Sequence, residues 1–201
     1  MNALTTHLPV SPSTTLIKFA DEIATSTNGP ILDAPCGYGR NAVALAARGC
    51  AVICVDADVN RLNTLESTKA AYIAKAASSG VRVGRITTVC IDLLAVKRWP
   101  FAASSMSAII CVHFPVQELL PQFTMSLRTG GYLYIETFGG QGKNYLDLPK
   151  KGYLHEILRQ QFDIKYYKER KVGPSVSNAV AVKIFARKLM FQSKPTETIK
   201  L

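Results

Sequence analysis

The chain has 201 residues, of which 48% are apolar and 19% are charged, and its formal net charge is +10. This length suits one globular domain with a large core, and the composition is that of a soluble globular protein, so we do not expect disorder. No run of 18 apolar residues occurs, and the first 15 residues lack the basic flank and apolar block of a secretory signal, so we expect neither a membrane span nor secretion.

Positive charge is concentrated in the C-terminal part of the sequence. From Lys143 onward there are 13 Lys and Arg residues against 5 Asp and Glu residues. A solvated basic surface is the simplest explanation, and a field that gathers a small anionic substrate or a nucleic acid is the alternative. The paired Tyr166 and Tyr167 fit a strand better than a base-stacking platform, so nucleic acid is the less favoured partner.

The five cysteines are an odd number and are scattered over predicted strands and one turn. They form no disulfide framework for a chain of this size, which favours a reducing, cytoplasmic location. Cys50 and Cys54 would share one face of a regular strand. Because no second pair and no histidines accompany them, we expect no metal site.

The predicted elements begin with a helix over residues 16–25, where apolar residues recur at helical spacing in LIKFADEIAT. Ser13 or Thr14 is available as its N-cap. We assign residues 1–30 to an N-terminal lead that includes this covering helix. Asn28-Gly29-Pro30 then breaks the chain before the first strand.

The stretch from Ile31 to Asn41, ILDAPCGYGRN, combines the end of a strand, a glycine turn and the start of a helix. Gly37 and Gly39 lie where the backbone must turn sharply and leave room for a ligand. The helix that follows ends at Gly49. Strand, turn and helix form the first half of a βαβ unit, in which the backbone amides of the turn face a ligand above the strand ends.

Strands and helices alternate from there to Phe138. The predicted strands are AVICVD, VRVGRITTVCID, SAIICV and YLYIETF, at residues 51–56, 81–92, 107–112 and 132–138. One helix is capped by Asp58 and ends at residues 78–80, and another spans residues 116–127. Residues 128–131 are the predicted turn into the last of these strands. This alternation predicts a doubly wound parallel sheet.

The alternation stops after Phe138. A flexible glycine-rich loop at residues 139–142 and a helix over residues 153–160 precede FDIKYYKERK and SNAVAVKIFARK, which a short Gly-Pro loop joins. Two strands with no helix between them form a hairpin, so one of them runs antiparallel to the rest. We therefore predict an α/β domain over residues 31–188, followed by a flexible tail at residues 189–201.

Carboxylates stand at the ends of the first three predicted strands, at Asp33, Asp56 and Asp92. In an open α/β sheet, the carboxyl ends of the strands surround the ligand site. Asp56 follows the glycine turn by about 20 residues, which is the separation expected of a carboxylate that binds both hydroxyls of a ribose. The pattern therefore indicates a cofactor that contains adenosine.

The motifs fit two kinds of adenosine cofactor. GYGRNA satisfies the dinucleotide pattern G-x-G-x-x-G/A, so NAD is a rival. A pyrophosphate on the turn would be repelled by Asp33, whereas a ligand with a positively charged amino group would be attracted by it. In addition, the dinucleotide fold requires neither Asp92 nor a closing hairpin. These two features favour a cationic adenosine cofactor.

Together, the DAPCGYGRN stretch, the strand-end acids and the hairpin resemble the class I S-adenosylmethionine-dependent methyltransferases over about residues 31–188, and among them the small methyltransferases of the tellurite-resistance type. The resemblance implies a Rossmann-like sheet of seven strands with the last antiparallel. It implies that the DAPCGYG loop holds the methionine part of the cofactor, Asp56 the ribose, and Asp92 with the backbone of Leu93 the adenine. The cofactor-binding residues implied are Asp33, Ala34, Pro35, Gly37, Gly39, Arg40, Asn41, Asp56, Ala57, Asp92, Leu93 and Val112.

Two positions depart from the family pattern. The usual first glycine of the loop is Pro35, which lacks an amide donor, and the acidic residue often found at the start of the fourth strand is Ser107. Neither position supplies a side chain that contacts the cofactor in the family. The departures therefore bear on the acceptor more than on the cofactor.

His113, directly after the fourth strand, is the candidate general base, and a packing or capping role is the alternative. His155 is a further candidate for the acceptor site. Glu136 either reaches the pocket or pairs with a basic neighbour. Cys36 is expected to fill the turn rather than to act as a nucleophile.

The predicted reaction is an in-line displacement in which an acceptor atom attacks the methyl group of the cofactor. The basic C-terminal part favours a small anionic acceptor, such as an oxyanion or a thiolate. A methyltransferase acting on RNA or protein is the first alternative. A non-catalytic, NAD-like nucleotide-binding module is the second, and the sequence does not indicate an oligomeric state.

Overall fold

The computed structural model describes residues 11–26, 28–78, 83–139 and 144–190. Predictions about residues 1–10, the helix end at residues 79 and 80, the strand start at residues 81 and 82, the loop at residues 140–142 and the tail from residue 191 lie outside these ranges. Within the described ranges, no helix is both long enough and apolar enough to cross a membrane. The same ranges contain no group of three or more His, Cys, Asp or Glu side chains placed to hold a metal ion.

Seven strands form a single sheet in the order β3-β2-β1-β4-β5-β7-β6. The strands are β1 (Ile31–Asp33), β2 (Val52–Asp56), β3 (Ile86–Cys90), β4 (Met106–Val112), β5 (Leu127–Glu136), β6 (Phe162–Lys171) and β7 (Val180–Lys188). The pairs among β1 to β5 are parallel, and β7 is antiparallel to both β5 and β6. This arrangement confirms the predicted seven-stranded, mostly parallel sheet with a C-terminal antiparallel hairpin.

Helices cover both faces of the sheet. They are α1 (Thr14–Ser26), α2 (Arg40–Ala46), α3 (Val59–Ser78), α4 (Leu120–Ser126) and α5 (Tyr153–Leu158), and short 3-10 turns occupy Gln117–Leu119 and Asn144–Asp147. Ile31 belongs to the core cluster with α1, α2 and α3, whereas Leu32 belongs to the cluster with α4 and α5. Successive side chains of a strand point to opposite faces, and each fully buried Ile or Leu contributes about 1.5 to 3 kcal/mol. Burial on both faces explains why the central strands are continuously apolar.

The N-terminal helix α1 begins at Thr14, two residues before the predicted range, and its cap is the first of the two predicted candidates. The backbone N–H of Leu16 donates to Oγ of Ser13, which is the expected cap. Farther along α1, the ring of Phe19 stacks on Phe185 at a centroid distance of 4.3 Å, and Phe185 stacks on Tyr132 at 5.0 Å. Helix α1 therefore covers β5 and β7, and it packs in the same core cluster as Ile31.

The largest differences from the predicted strand boundaries are at the starts of β3 and β5. Strand β3 begins at Ile86, so residues 83–85 of the predicted strand lie outside it, and the backbone N–H of Gly84 donates to the carbonyl of Ala46 instead of joining the ladder. Strand β5 begins at Leu127, so the predicted turn at residues 128–131 lies inside it. The register between β5 and its partner β4 shifts between Met106 and Ala108, which accommodates the extra residues of β5.

The predicted helix over residues 116–127 is shorter than expected and is divided. A 3-10 turn over Gln117–Leu119 precedes α4, which begins at Leu120 with Pro121 in its first turn and ends at Ser126. Proline favours the first turn of a helix because its missing N–H has no intrahelical partner there. Helix α5 likewise ends at Leu158, two residues before the predicted end.

The order of strands changes direction between β1 and β4. From β1 the chain proceeds to β2 and β3 on one side, and from β4 it proceeds to β5 on the other. The connections therefore diverge and leave a crevice above the carboxyl ends of these two strands, which is where open α/β sheets bind ligands. The glycine turn follows β1 and His113 follows β4, so both border this crevice.

Candidate functional site

The turn between β1 and α2 is held against the end of β2 by its own backbone. The N–H of Cys36 donates to the carbonyl of Val55 at 2.8 Å, and the N–H of Gly37 donates to Oδ2 of Asp56 at 2.8 Å. Both turn glycines have left-handed backbones, with φ of +55° at Gly37 and +73° at Gly39. Residues that carry a Cβ atom rarely adopt this backbone conformation, which explains why both positions are glycine.

The two glycines also meet different surroundings. A Cβ atom at Gly39 would lie 2.3 Å from a methyl carbon of Leu65, so this glycine allows α2 and α3 to pack closely. A Cβ atom at Gly37 would have no heavy atom within 4 Å. Gly37 therefore leaves open space above the turn.

Asp56 is the central carboxylate of the site. Its side chain is almost completely buried, at 4% exposure, and its Oδ1 accepts the N–H of Asp58 at 3.0 Å while Oδ2 accepts that of Gly37. Each carboxylate oxygen retains a second lone pair. Asp56 can thus hold the turn and also accept hydrogen bonds from a ligand above it.

Three neighbouring cavities meet at His113. The turn cavity, of about 190 Å³, is bordered by Pro35, Cys36, Gly37, Tyr38, Arg40, Asn41, Asp56, Arg61, Val112 and His113. The Asp92 cavity, of about 290 Å³, adds Val55, Ala57, Asp58, Ile91, Asp92, Leu93, Phe114 and Leu119 to Pro35, Asp56, Arg61 and His113. The third, called here the basic cavity, measures about 480 Å³ and is bordered by Thr14, Thr15, Lys18, His113, Glu136, Thr137, Phe138, Gly139, Tyr166, Lys168, Arg170, Ala181, Val182 and Lys183.

The structure brings most of the predicted site residues to these cavities. Those that border them are Pro35, Gly37, Arg40, Asn41, Asp56, Ala57, Asp92, Leu93, Val112 and His113. Asp33, Ala34 and Gly39 do not border them, because they are buried beneath the turn. His155 does not border them either, because its ring packs edge-on against Tyr167, 5.0 Å away, next to the cluster of α4 and α5.

Asp33 is a fully buried carboxylate below the turn. Neither of its oxygens accepts a hydrogen bond from any residue that the structure describes. Burial raises the pKa of Asp33 to about 7, and the charge of Asp56 adds to this rise, whereas the charge of Arg40 opposes it, as does the N–H of Ala42, which acts on the carboxylate without making a hydrogen bond of normal geometry. Asp33 is therefore poised between its neutral and charged forms near pH 7.

The side chain of Asp92 initiates a turn, as aspartates at strand ends often do. Its Oδ1 accepts the N–H of Leu94 at 3.0 Å, which starts the turn after β3. The residue is exposed and borders the Asp92 cavity, beside the buried Leu93. The turn leaves the second oxygen of Asp92 open to that cavity.

His113 has an unusual backbone for a residue other than glycine, with φ of +58°. Its N–H donates to the carbonyl of Glu136 at 2.6 Å, and its half-exposed ring lies with Nε2 3.9 Å from Oε1 of Glu136. Burial lowers the pKa of His113, as do the charges of Arg40 and Lys183, and Glu136 opposes them. The imidazole is therefore neutral at pH 7 and able to accept a proton.

Glu136 anchors a polar network that the sequence left undecided. Its carboxylate accepts hydrogen bonds from the hydroxyls of Ser13 and Tyr134, and Nζ of Lys183 lies 2.7 Å from Oε1. Burial raises the pKa of Glu136, but the hydrogen bonds from Lys183, Ser13 and Tyr134 outweigh it and keep the pKa below its usual value. Both alternatives therefore hold, since Glu136 borders the basic cavity and also pairs with the basic residue Lys183.

The N-terminal segment links the two sides of the crevice. Arg40 donates from Nη1 to the carbonyl of Ser11 at 3.0 Å, and the N–H of Ser13 donates to Oδ1 of Asn41 at 3.0 Å. Thr15 lies two residues after Ser13, and its Oγ1 accepts a hydrogen bond from Nζ of Lys183 at 3.2 Å. The polar groups of Arg40 and Asn41 are therefore engaged with this segment as well as bordering the turn cavity.

Several bordering residues escaped the sequence analysis. Arg61 borders both the turn cavity and the Asp92 cavity, forms an ion pair with Asp58 at 3.2 Å, and lies 5.9 Å from the ring centroid of Tyr38. The sequence signal that could have identified Arg61 is its position three residues after the helix cap Asp58, a spacing at which the two side chains can form an ion pair. Lys168 and Lys183 lay in predicted strands, but only the strand order brings them to the basic cavity.

Comparison with known proteins gives a consistent picture. Residues 31–131 match a family described as the methyltransferase domain. No curated protein matches the chain in sequence. The fold is similar to those of many solved structures, three of which follow.

A SAM-dependent methyltransferase from Methanosarcina mazei has a TM-score of 0.56 and 18% identity, over 90% of this chain and 100% of that one. TehB from Haemophilus influenzae has a TM-score of 0.56 and 19% identity, over 85% of this chain and 62% of that one. TYW2 from P. horikoshii, in complex with MeSAdo, has a TM-score of 0.59 and 12% identity, over 92% of this chain and 66% of that one. At these identities, the similarity shows a shared fold.

The buried Asp33 predicts an unusual dependence of stability on pH. The folded chain keeps a proton on Asp33 up to about pH 7, whereas the unfolded chain loses it near pH 4, so stability falls as the pH rises through this window. Asp33→Asn removes the titration. We expect its free energy of unfolding, relative to the wild type, to rise by about 2 to 4 kcal/mol between pH 4 and pH 8 in denaturant titrations.

The exposed Asp163 on β6 supplies the matched control, because Asp163→Asn leaves the buried carboxylate in place. Parallel stability curves of the wild type and Asp33→Asn over the whole window would contradict the assignment.

Proposed function

Because this chain belongs to the methyltransferase domain family and uses S-adenosylmethionine as its methyl donor, we propose that it methylates a small, anionic acceptor bound in the basic cavity. The observation that carries the proposal is the meeting of the turn cavity, the Asp92 cavity and the basic cavity at His113. Two of them are lined by the predicted cofactor residues. The third provides room for an acceptor beside them.

The residues of the turn fit the methionine part of the donor. Gly37 leaves open space above the turn, and the unpartnered carboxylate of Asp33 lies below it. A positively charged amino group over the turn would favour the ionised form of Asp33 and offset part of the energy of burying it. This complementarity supports a cationic amino acid at this position rather than a pyrophosphate.

The adenosine part fits the other cavity. Asp56 would accept hydrogen bonds from the ribose hydroxyls, since both of its oxygens keep a lone pair and it borders both cavities. Asp92 and the backbone of Leu93 would face the adenine. The apolar side chains of Ile91, Phe114 and Leu119 would pack around it.

The basic cavity is sized for a small molecule. Its volume of about 480 Å³ lies within the range of about 300 to 1,000 Å³ typical of small-molecule sites. The four cationic residues on its wall favour an acceptor with a negative charge. These features support a small anionic acceptor over a polymer.

When bound, S-adenosylmethionine supplies an electrophilic methyl group. The chain's own contribution is to hold the acceptor in line and to remove its proton. Nε2 of the neutral His113 would take the proton from the attacking O, N or S atom while the bond between the methyl carbon and the sulfonium sulfur breaks and S-adenosylhomocysteine leaves, and it would later release the proton to water. Glu136, 3.9 Å away, would stabilise the imidazolium formed in this step.

Asp56→Ala tests the ribose assignment. Loss of charge-assisted hydrogen bonds worth about 1.5 to 3 kcal/mol should weaken the binding of S-adenosylhomocysteine roughly 10- to 100-fold, measured by calorimetry. Asp56→Asn, which keeps an oxygen for the N–H of Gly37, should show an intermediate loss. Unchanged affinity in Asp56→Ala would refute the assignment, and Asp163→Ala controls for the loss of a carboxylate elsewhere.

His113→Ala tests the general base. With acceptors that must lose a proton, such as neutral thiols, we expect the rate of methyl transfer to fall about 100- to 1,000-fold. In the wild type, this rate should decline with acid below the ordinary pKa of histidine, because the pKa of His113 is lowered. His155→Ala is the control. An undiminished rate in His113→Ala at every pH would rule out the base.

Competition by polyanions separates a small acceptor from RNA. A small-acceptor enzyme should keep its activity in the presence of tRNA, with a shallow dependence on salt. Strong inhibition by tRNA at low salt that disappears at high salt would favour an RNA substrate instead.

A further inference from the structure

Cations dominate the wall of the basic cavity. Lys18 comes from α1, Lys168 and Arg170 from β6 and Lys183 from β7, and Glu136 is the one carboxylate among the residues that border the cavity. Four cations gathered from three elements around about 480 Å³ repel each other unless an anion lies between them.

Only one of these cations has its charge balanced locally. Lys183 lies 2.7 Å from Oε1 of Glu136, so this pair is close to neutral. Lys18, Lys168 and Arg170 have no carboxylate within 4 Å in the part of the chain that the structure describes. Arg170 donates to the carbonyl of Gly139 at 3.0 Å, which positions its guanidinium at the cavity wall.

The strand register separates these unbalanced cations from His113. Val112 of β4, just before His113, pairs with Glu136 of β5. Glu136 pairs with Lys183 of β7, and Lys183 pairs with Lys168 of β6. These residues form a row across four neighbouring strands. With about 4.8 Å between strands, the backbone of Lys168 lies roughly 14 Å from the end of β4.

We propose that the acceptor is a molecule with two separate parts: a methyl-accepting atom at His113 and an anionic oxygen group, such as a carboxylate, bound by Lys168 and Arg170 with Lys18 alongside. This inference rests on the proposed function and adds a subsite to it. The reacting atom must lie within about 3.5 Å of the methyl carbon, whereas Glu136 and Lys183 stand between the end of β4 and Lys168 in the row, so an anion held by Lys168 and Arg170 lies apart from the reacting atom. The geometry therefore points to an organic acceptor rather than to an inorganic oxyanion.

A series of thiols tests the subsite. The acceptors are ω-mercapto carboxylates from mercaptoacetate to mercaptoundecanoate, each compared with the ω-mercapto alcohol of the same length. We expect kcat/KM to favour the carboxylate over the alcohol by about 10-fold or more, and only in the longer members, because these span from His113 to Lys168. Lys168→Met and Arg170→Met should each reduce this preference about 10-fold.

Lys171→Met is the matched control. Lys171 lies on the same strand as Lys168 and Arg170 but does not border the basic cavity, and its Nζ donates to the carbonyl of Ser175. The control variant should keep the full preference for the carboxylates. An equal loss in Lys171→Met would show that general surface charge is responsible and would overturn the subsite.

Calorimetric binding of the same carboxylates and alcohols to the enzyme saturated with S-adenosylhomocysteine separates this inference from the proposed function. Carboxylate binding that depends on Lys168 and Arg170, without methylation of any thiol, would support the subsite and count against the proposed reaction. A preference that is absent at every length, that is greatest for mercaptoacetate, or that survives both substitutions would overturn the subsite. Binding of tRNA alone through Lys168 and Arg170 would overturn it as well.

Discussion

Two hydrogen bonds, from the N–H groups of Cys36 and Gly37 to the carbonyl of Val55 and to Oδ2 of Asp56, hold the turn after β1 against the end of β2. The rest of the site depends on this attachment. It places Pro35 and Asp56 on the wall shared by the turn cavity and the Asp92 cavity. Because Asp56 both organises the turn and faces the cavities, a change there affects the shape of the site as well as its polar contacts.

Charge divides the crevice into two halves. Asp33, Asp56 and Asp92 lie on the side of β1, β2 and β3, whereas the unbalanced cations lie on the side of β7 and β6. A cationic donor and the proposed anionic acceptor would each be attracted to their own half. His113 stands between the halves on a left-handed backbone, a conformation that costs energy and that occurs preferentially at functional sites.

The N-terminal segment joins these halves physically. Ser13 binds Asn41 beside the turn cavity through its N–H, and it binds Glu136 at the basic cavity through its hydroxyl. Because Glu136 also contacts Lys183 and lies near His113, the position of α1 is coupled to both sides of the reaction. Helix α1 thus does more than cover the sheet, which was its predicted role.

The sequence alone determined the alternation of strands and helices, the glycine turn and the strand-end acids, because these depend on local backbone preferences and on the periodicity of apolar residues. It did not determine that Asp33 is buried with no hydrogen-bond partner among the described residues, or that the N–H of Gly84 binds the carbonyl of Ala46 instead of joining the ladder. Only the tertiary structure decided the network of Ser13 and Glu136, which are 123 positions apart. The same holds for the basic cavity, because strand order and register bring its residues together and local sequence encodes neither.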